Sequence, residues 1–202
     1  MSPHMALIVP GSEYITLPRA PETWLIEPLV PSGGSGLLYG PPKVGKSIAA
    51  LQMALSIQDG TDWLGYPTRL KGPVVYLQVD NPRSLWATRL IKIRARFPTV
   101  DQLWCADLET LDTYPSFDIL SPTHSDLLTV ALREIAPVAV VVDTLRKIHS
   151  ADENDSTTMT AVMSRLKAAV KPAALILVAH SRKQGQDYTP NVIEDARGSN
   201  AV

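Results

Sequence analysis

Apolar residues along the chain gather into short dense runs, separated by longer stretches in which they recur every three or four positions. The runs are "GLLY" (36–39), "PVVYLQV" (73–79), "VAVVVD" (138–143) and "ALILVA" (174–179). Their uniform apolarity predicts strands buried on both faces of a sheet. The intervening periodicity predicts helices over 47–58, 82–97, 122–135 and 157–170. Gly60 stops the first, and Asn81 caps the second with Pro82 at its first helical position. The third turns Leu127, Leu128, Ala131, Leu132 and Ile135 inward. Asp155 or Ser156 caps the fourth, whose inward residues are Met159, Val162, Met163 and Leu166. A weaker short strand falls at "QLWCA". Strand and helix alternate, so the expectation is an α/β fold with a mostly parallel twisted sheet flanked by helices. Residues 1–35 carry six prolines and read as an N-terminal arm whose "WLIEPLV" docks on a core spanning 36–202.

Between the first strand and the first helix lies "GPPKVGKS", which satisfies the phosphate-loop pattern G-x-x-x-x-G-K-[ST]. Gly40, Pro41, Pro42, Lys43, Val44, Gly45, Lys46 and Ser47 are therefore the expected nucleotide cradle. Glycines let the backbone close around an anion, and the amides and dipole of a helix N-terminus favour negative charge. Lys46 is expected to reach the β- and γ-phosphates, and the Ser47 hydroxyl to ligate Mg²⁺. Lys43 has two readings: added positive charge beside the phosphates, or a solvent-facing lysine in the turn.

Three more residues fall just beyond strand ends, where open α/β sheets bind ligands. Asp143 closes "VVVD" and suits the metal-holding acid of a Walker B strand. Asp80, after the second strand, either polarises attacking water or serves the following helix as a cap. His180 follows "LILVA" and either serves a structural role or senses a γ-phosphate.

Composition narrows the class. The chain has 202 residues, 45% of them hydrophobic, and a formal net charge of -1. One domain with an extension fits that length, and a globally basic, DNA-coating protein does not fit that charge. With Cys105 alone there is no intrachain disulfide, and no paired Cys/His spacing suggests zinc. No apolar run approaches a membrane span and no signal sequence is evident, so the expectation is a cytoplasmic protein with no membrane partner.

In order and spacing, "LLYGPPKVGKS", "VVYLQVDNPR", "VVVDTLRKIHSADEND", "LILVAHSRK" and "ARGS" resemble the RecA-like ATPases of the RepA type, hexameric replicative-helicase relatives common on plasmids and phages. The resemblance implies a RecA-like core with the 174–179 sensor strand between the phosphate-loop and Walker B strands. It also implies further strands after "RGS". ATP and Mg²⁺ would be the cofactors, with hydrolysis at subunit interfaces of a homo-oligomeric, hexameric ring acting on single-stranded DNA in replication or recombination. Lys46, Ser47, Asp143 and His180 match the family's positions, while its water-activating glutamate falls on the shorter Asp80. Arg197 in "RGS" matches a candidate arginine finger. For DNA, "SRKQGQD" offers Arg182 and Lys183. The 82–97 helix adds Arg83, Arg89, Lys92, Arg94 and Arg96, with Arg89, Lys92 and Arg96 on one face that either meets DNA or is simply solvated. Two other readings remain: a nucleotide-dependent assembly or signalling switch that grips a protein partner, and a filament-forming recombinase.

Overall fold

The longest apolar runs form the middle of a parallel sheet, because only there are both faces of a strand covered. The computed structural model describes residues 9–18, 22–97, 99–111, 117–152 and 155–180. A short helix α1 (Gly11–Tyr14) precedes a hairpin of β1 (Trp24–Ile26) and β2 (Val30–Pro31). Then come β3 (Ser35–Gly40), α2 (Lys46–Asp59), β4 (Val74–Gln78), α3 (Arg83–Ile93), β5 (Leu103–Asp107) and α4 (Leu108–Leu111). The chain continues through α5 (Pro122–Ile135), β6 (Ala139–Asp143), α6 (Ser156–Val170) and β7 (Ala174–His180). The five-stranded sheet has the order β3-β7-β6-β4-β5, and every neighbouring pair is parallel. The expected α/β architecture is therefore observed, including the sensor strand β7 between β3 and β6.

Alternation along β6 divides the core. Val140 and Val142 face α5 and α6, packing with Leu128, Leu132, Val162 and Leu166. Ala139 and Val141 face α2, in a cluster with Leu51, Leu55, Tyr76 and Trp86. Leu25, Ile26 and Val30 join this second cluster, so "WLIEPLV" docks against the α2 face.

Helix ends follow local chemistry. Gly60 takes the left-handed conformation (φ 72°) that ends α2, and the Asp155 side chain caps α6 by accepting from the Thr157 amide. Met159, Val162, Met163 and Leu166 are buried as expected.

The structure corrects two helix readings. Residues 82–97 are not one helix: α3 begins at Arg83 and ends at Ile93, so Pro82 occupies the cap position and Asn81 caps nothing. At the start of the helix, the Gln78 side chain engages the Asp80 and Asn81 backbone, which keeps Asn81 out of the cap position. The α5 helix spans the expected residues, yet Leu127 and Ala131 are exposed. That helix overhangs β5, the last strand of the sheet, so these two line an open apolar groove of about 410 Å³ with Trp104 and Phe117.

Candidate functional site

Sheet register sets the site. Gly40 pairs with His180, Val178 with Asp143, and Asp143 with Gln78, so three parallel strands and the segment after a fourth end along one crevice. From these ends come the phosphate loop, His180, Asp143 and Asp80, which lie along the same crevice.

The loop enters α2 through Gly45 at φ 92°, a left-handed conformation that glycine adopts without a Cβ clash. Lys43 also has positive φ, 66°, where an L side chain is strained. It is exposed, so its charge is not held by burial.

Lys46 folds back across the loop. Its Nζ donates to the carbonyl oxygens of Gly40 (2.8 Å) and Pro41 (2.8 Å) and to Nδ1 of His180 (3.0 Å). An ammonium only donates, so Nδ1 accepts and the imidazole proton sits on Nε2. That nitrogen faces Oδ2 of Asp80 at 4.0 Å. Burial lowers the Lys46 pKa, against the charges of Asp143 and Asp80, which raise it. A phosphate entering the loop would take Lys46 from neutral carbonyl partners, an exchange that favours the stronger, charge-assisted contact.

Across the crevice, Asp143 is completely buried. Its Oδ2 accepts from the Tyr76 hydroxyl at 2.9 Å, while Oδ1 is buried with no hydrogen-bond partner. Burial pushes the Asp143 carboxyl pKa up; hydrogen bonds from Ser47 and Tyr76 pull it down, Asp80 adds to the rise, and Arg89 opposes it. A buried carboxylate oxygen left bare calls for a cation. With the Ser47 hydroxyl beside it, the donor set is all oxygen, as Mg²⁺ requires. These residues fit the metal. Among the described residues no group of three or more His, Cys, Asp or Glu side chains forms a metal cage. Magnesium on one or two protein oxygens plus substrate phosphates needs none.

Two contributors were not singled out by sequence reasoning, and a third was read only as part of a basic helix face. Gln78, fully buried at the end of β4, accepts from the amides of Asp80 (3.1 Å) and Asn81 (2.7 Å) and donates to the Asn81 carbonyl (2.6 Å). It thereby fixes the backbone that presents Asp80, so the Asp80 carboxylate faces His180 and does no capping. Its signal was a polar residue in an otherwise apolar strand. Tyr76 carried a similar signal, a phenol that must find a partner when buried.

The third is Arg89, which the structure removes from the basic outer face. It lies one turn after the buried Trp86, so the docking of that indole turns Arg89 inward as well. Its Nη1 is buried without a hydrogen-bond partner; burial raises the pKa of both Tyr76 and Asp143, and the Arg89 charge opposes that rise. Arg83 is engaged by an acid, with Nε and Nη2 on the Asp107 carboxylate at 2.6 and 2.9 Å. Arg94 and Arg96 lie beyond the end of α3. The expected contacts Arg182, Lys183 and Arg197 lie outside the described residues.

Among the described residues no helix is long and apolar enough to cross a membrane. Compared with known families, the chain matches the sequence model described as an AAA domain over residues 5–186.

Proposed function

The chain belongs to the AAA domain family of P-loop ATPases, and from that premise we propose that it is a Mg²⁺-dependent ATP hydrolase of the RepA-like type, working as a ring-forming motor on single-stranded DNA. The observation that carries the reading is the line from Lys46, hydrogen-bonded to His180, on to Asp80 4.0 Å from that ring, beside the buried Asp143. It joins the phosphate loop, the sensor strand and a candidate base in one unit. Bound ATP would supply the phosphoryl group, and magnesium would neutralise charge on its β- and γ-oxygens.

The residues present take distinct parts. Lys46 leaves the Gly40 and Pro41 carbonyls to hold phosphate charge. Ser47 and Asp143 hold the metal. Asp80 orients the attacking water and receives its proton. His180, released by Lys46, passes the state of the phosphate to the segment after β7 and so converts turnover into movement. Arg197 of a neighbouring subunit would complete the charge stabilisation.

Lys46→Ala tests the chemistry: ATPase turnover is expected to fall by roughly 10²- to 10³-fold, and undiminished turnover would remove the assignment. The motor reading predicts that single-stranded DNA stimulates the wild-type ATPase. A second reading, a nucleotide-dependent switch that grips a protein partner, gains from the pairing of Arg83 with Asp107 and the burial of Arg89 Nη1, which thin the basic surface of α3. ATPase indifferent to DNA would favour that switch. Open helical polymers under the microscope would favour a filament-forming recombinase.

A further inference from the structure

The Tyr76 hydroxyl lies between the two residues assigned to the metal. It is 2.9 Å from Oδ2 of Asp143 and 3.3 Å from the backbone carbonyl of Ser47. A phenol has one hydrogen to donate, and the shorter, charge-assisted contact is to Asp143. The carboxylate is thus held by one oxygen, and the oxygen left over is the buried, unpartnered Oδ1. The ring that delivers the hydroxyl is itself fixed: Tyr76 is fully buried in β4, and the Trp86 ring of α3 packs on it with centroids 4.5 Å apart.

We infer that Tyr76 is a positioning residue for the metal. Its hydroxyl pins Asp143 against rotation and keeps Oδ1 turned toward the crevice, close to the first turn of α2, where Ser47 provides the other ligand. The inference rests on the assignment of Ser47 and Asp143 as metal ligands. Hydrogen-bonding partners of metal ligands commonly set metal affinity by 10- to 100-fold, because they fix the ligand's orientation and basicity.

Tyr76→Phe keeps the ring and removes the hydroxyl. Calorimetry of ADP binding, with EDTA and then across a magnesium titration, separates the metal from the nucleotide. The metal alone is followed by Mn²⁺ paramagnetic resonance. The expected result is ADP affinity in EDTA equal to wild type, with the magnesium concentration for half-effect raised roughly tenfold or more. p-Aminophenylalanine at position 76, which restores a donor on the same ring, should recover part of that loss. It also carries the test if the Phe protein does not fold. Wild-type magnesium dependence in a folded variant overturns the inference, and so does an equal loss of ADP binding in EDTA, which would make the ring mere support. Failure of the wild-type protein to bind ADP at all would instead remove the metal-site assignment itself.

Discussion

The two walls of the crevice are built by different rules. On one side, where β3 and β7 end and the segment after β4 brings Asp80 toward His180, the side chains of Lys46, His180 and Asp80 are partly exposed, and Lys46 is satisfied by carbonyls of its own loop and by one ring nitrogen. Each of these bonds is replaceable by a phosphate oxygen at little cost. On the side of β4 and β6, Asp143 and Tyr76 are fully buried and bonded to each other at 2.9 Å. The first wall suits groups that change partners during a cycle. The second suits a charge that must stay in place. The proposed motor would need both, because a moving sensor reports nothing unless the phosphate is held against a fixed reference.

The largest effect should follow from damaging the fixed wall. Asp143→Asn keeps the shape and the Tyr76 contact but removes the charge that would hold the metal. Turnover should fall by at least about 100-fold, while ADP still binds in EDTA. A parallel loss of metal-free binding, read by calorimetry, would show that the two walls are not separable.

The replaceable wall can be improved. The Asp80 carboxylate stands 4.0 Å from His180, too long for a hydrogen bond, and it occupies the place of a glutamate in the RepA-type resemblance. Asp80→Glu adds about 1.5 Å of reach. Since positioning errors near 1 Å cost up to 10²-fold, kcat should rise by several-fold and up to about tenfold, with KM for ATP little changed. A fall in kcat in steady-state assays would assign water activation to another residue.

What sequence made legible, and what it did not, follows the same division. The buried strands and the phosphate loop are local patterns, so "VAVVVD" placed Asp143 and "GPPKVGKS" placed Lys46 before any packing was known. Tyr76, Gln78 and Arg89 act through partners 67, 3 and many residues distant respectively, or through the docking angle of a helix. Periodicity put Arg89 on a basic stripe with Lys92 and Arg96, but that stripe also contains Trp86, whose burial decides which way it faces. Leu127 and Ala131 were misread because a helical period cannot reveal that the strand beneath is the last in its sheet.

A smaller effect tests how the fixed wall is anchored. Asp107 closes β5 and accepts two bonds from Arg83 and two from Thr110, which together secure the start of the helix carrying Trp86 and Arg89. Arg83 and Thr110 hold the Asp107 carboxyl well below the usual carboxylate range. A depressed carboxylate stabilises the fold at every pH above its unfolded value of about 3.9 and loses that contribution as pH falls through the folded value. Asp107→Asn should therefore melt about 2–4 °C below wild type at pH 7, with the gap closing only below about pH 4. A gap that closes nearer neutrality would point to a different titrating group.

The smallest effect belongs to the replaceable wall and separates backbone from charge. Lys43 carries a left-handed backbone (φ 66°) in the loop and an exposed side chain. Lys43→Ala removes the charge and leaves the strain; Lys43→Gly removes both. A non-glycine residue pays about 1 kcal/mol or more in this conformation, although glycine gives back some 0.4–1 kcal/mol by loosening the unfolded chain. The Gly protein is thus expected to be more stable than the Ala protein by at most about 1 kcal/mol in urea titrations. An exposed lysine screened by solvent adds little to phosphate binding, so both variants should bind ATP within about threefold of wild type. Equal stability with a common, larger loss of ATP affinity would reverse that assignment: Lys43 would then belong with Lys46 among the groups that hold the phosphates.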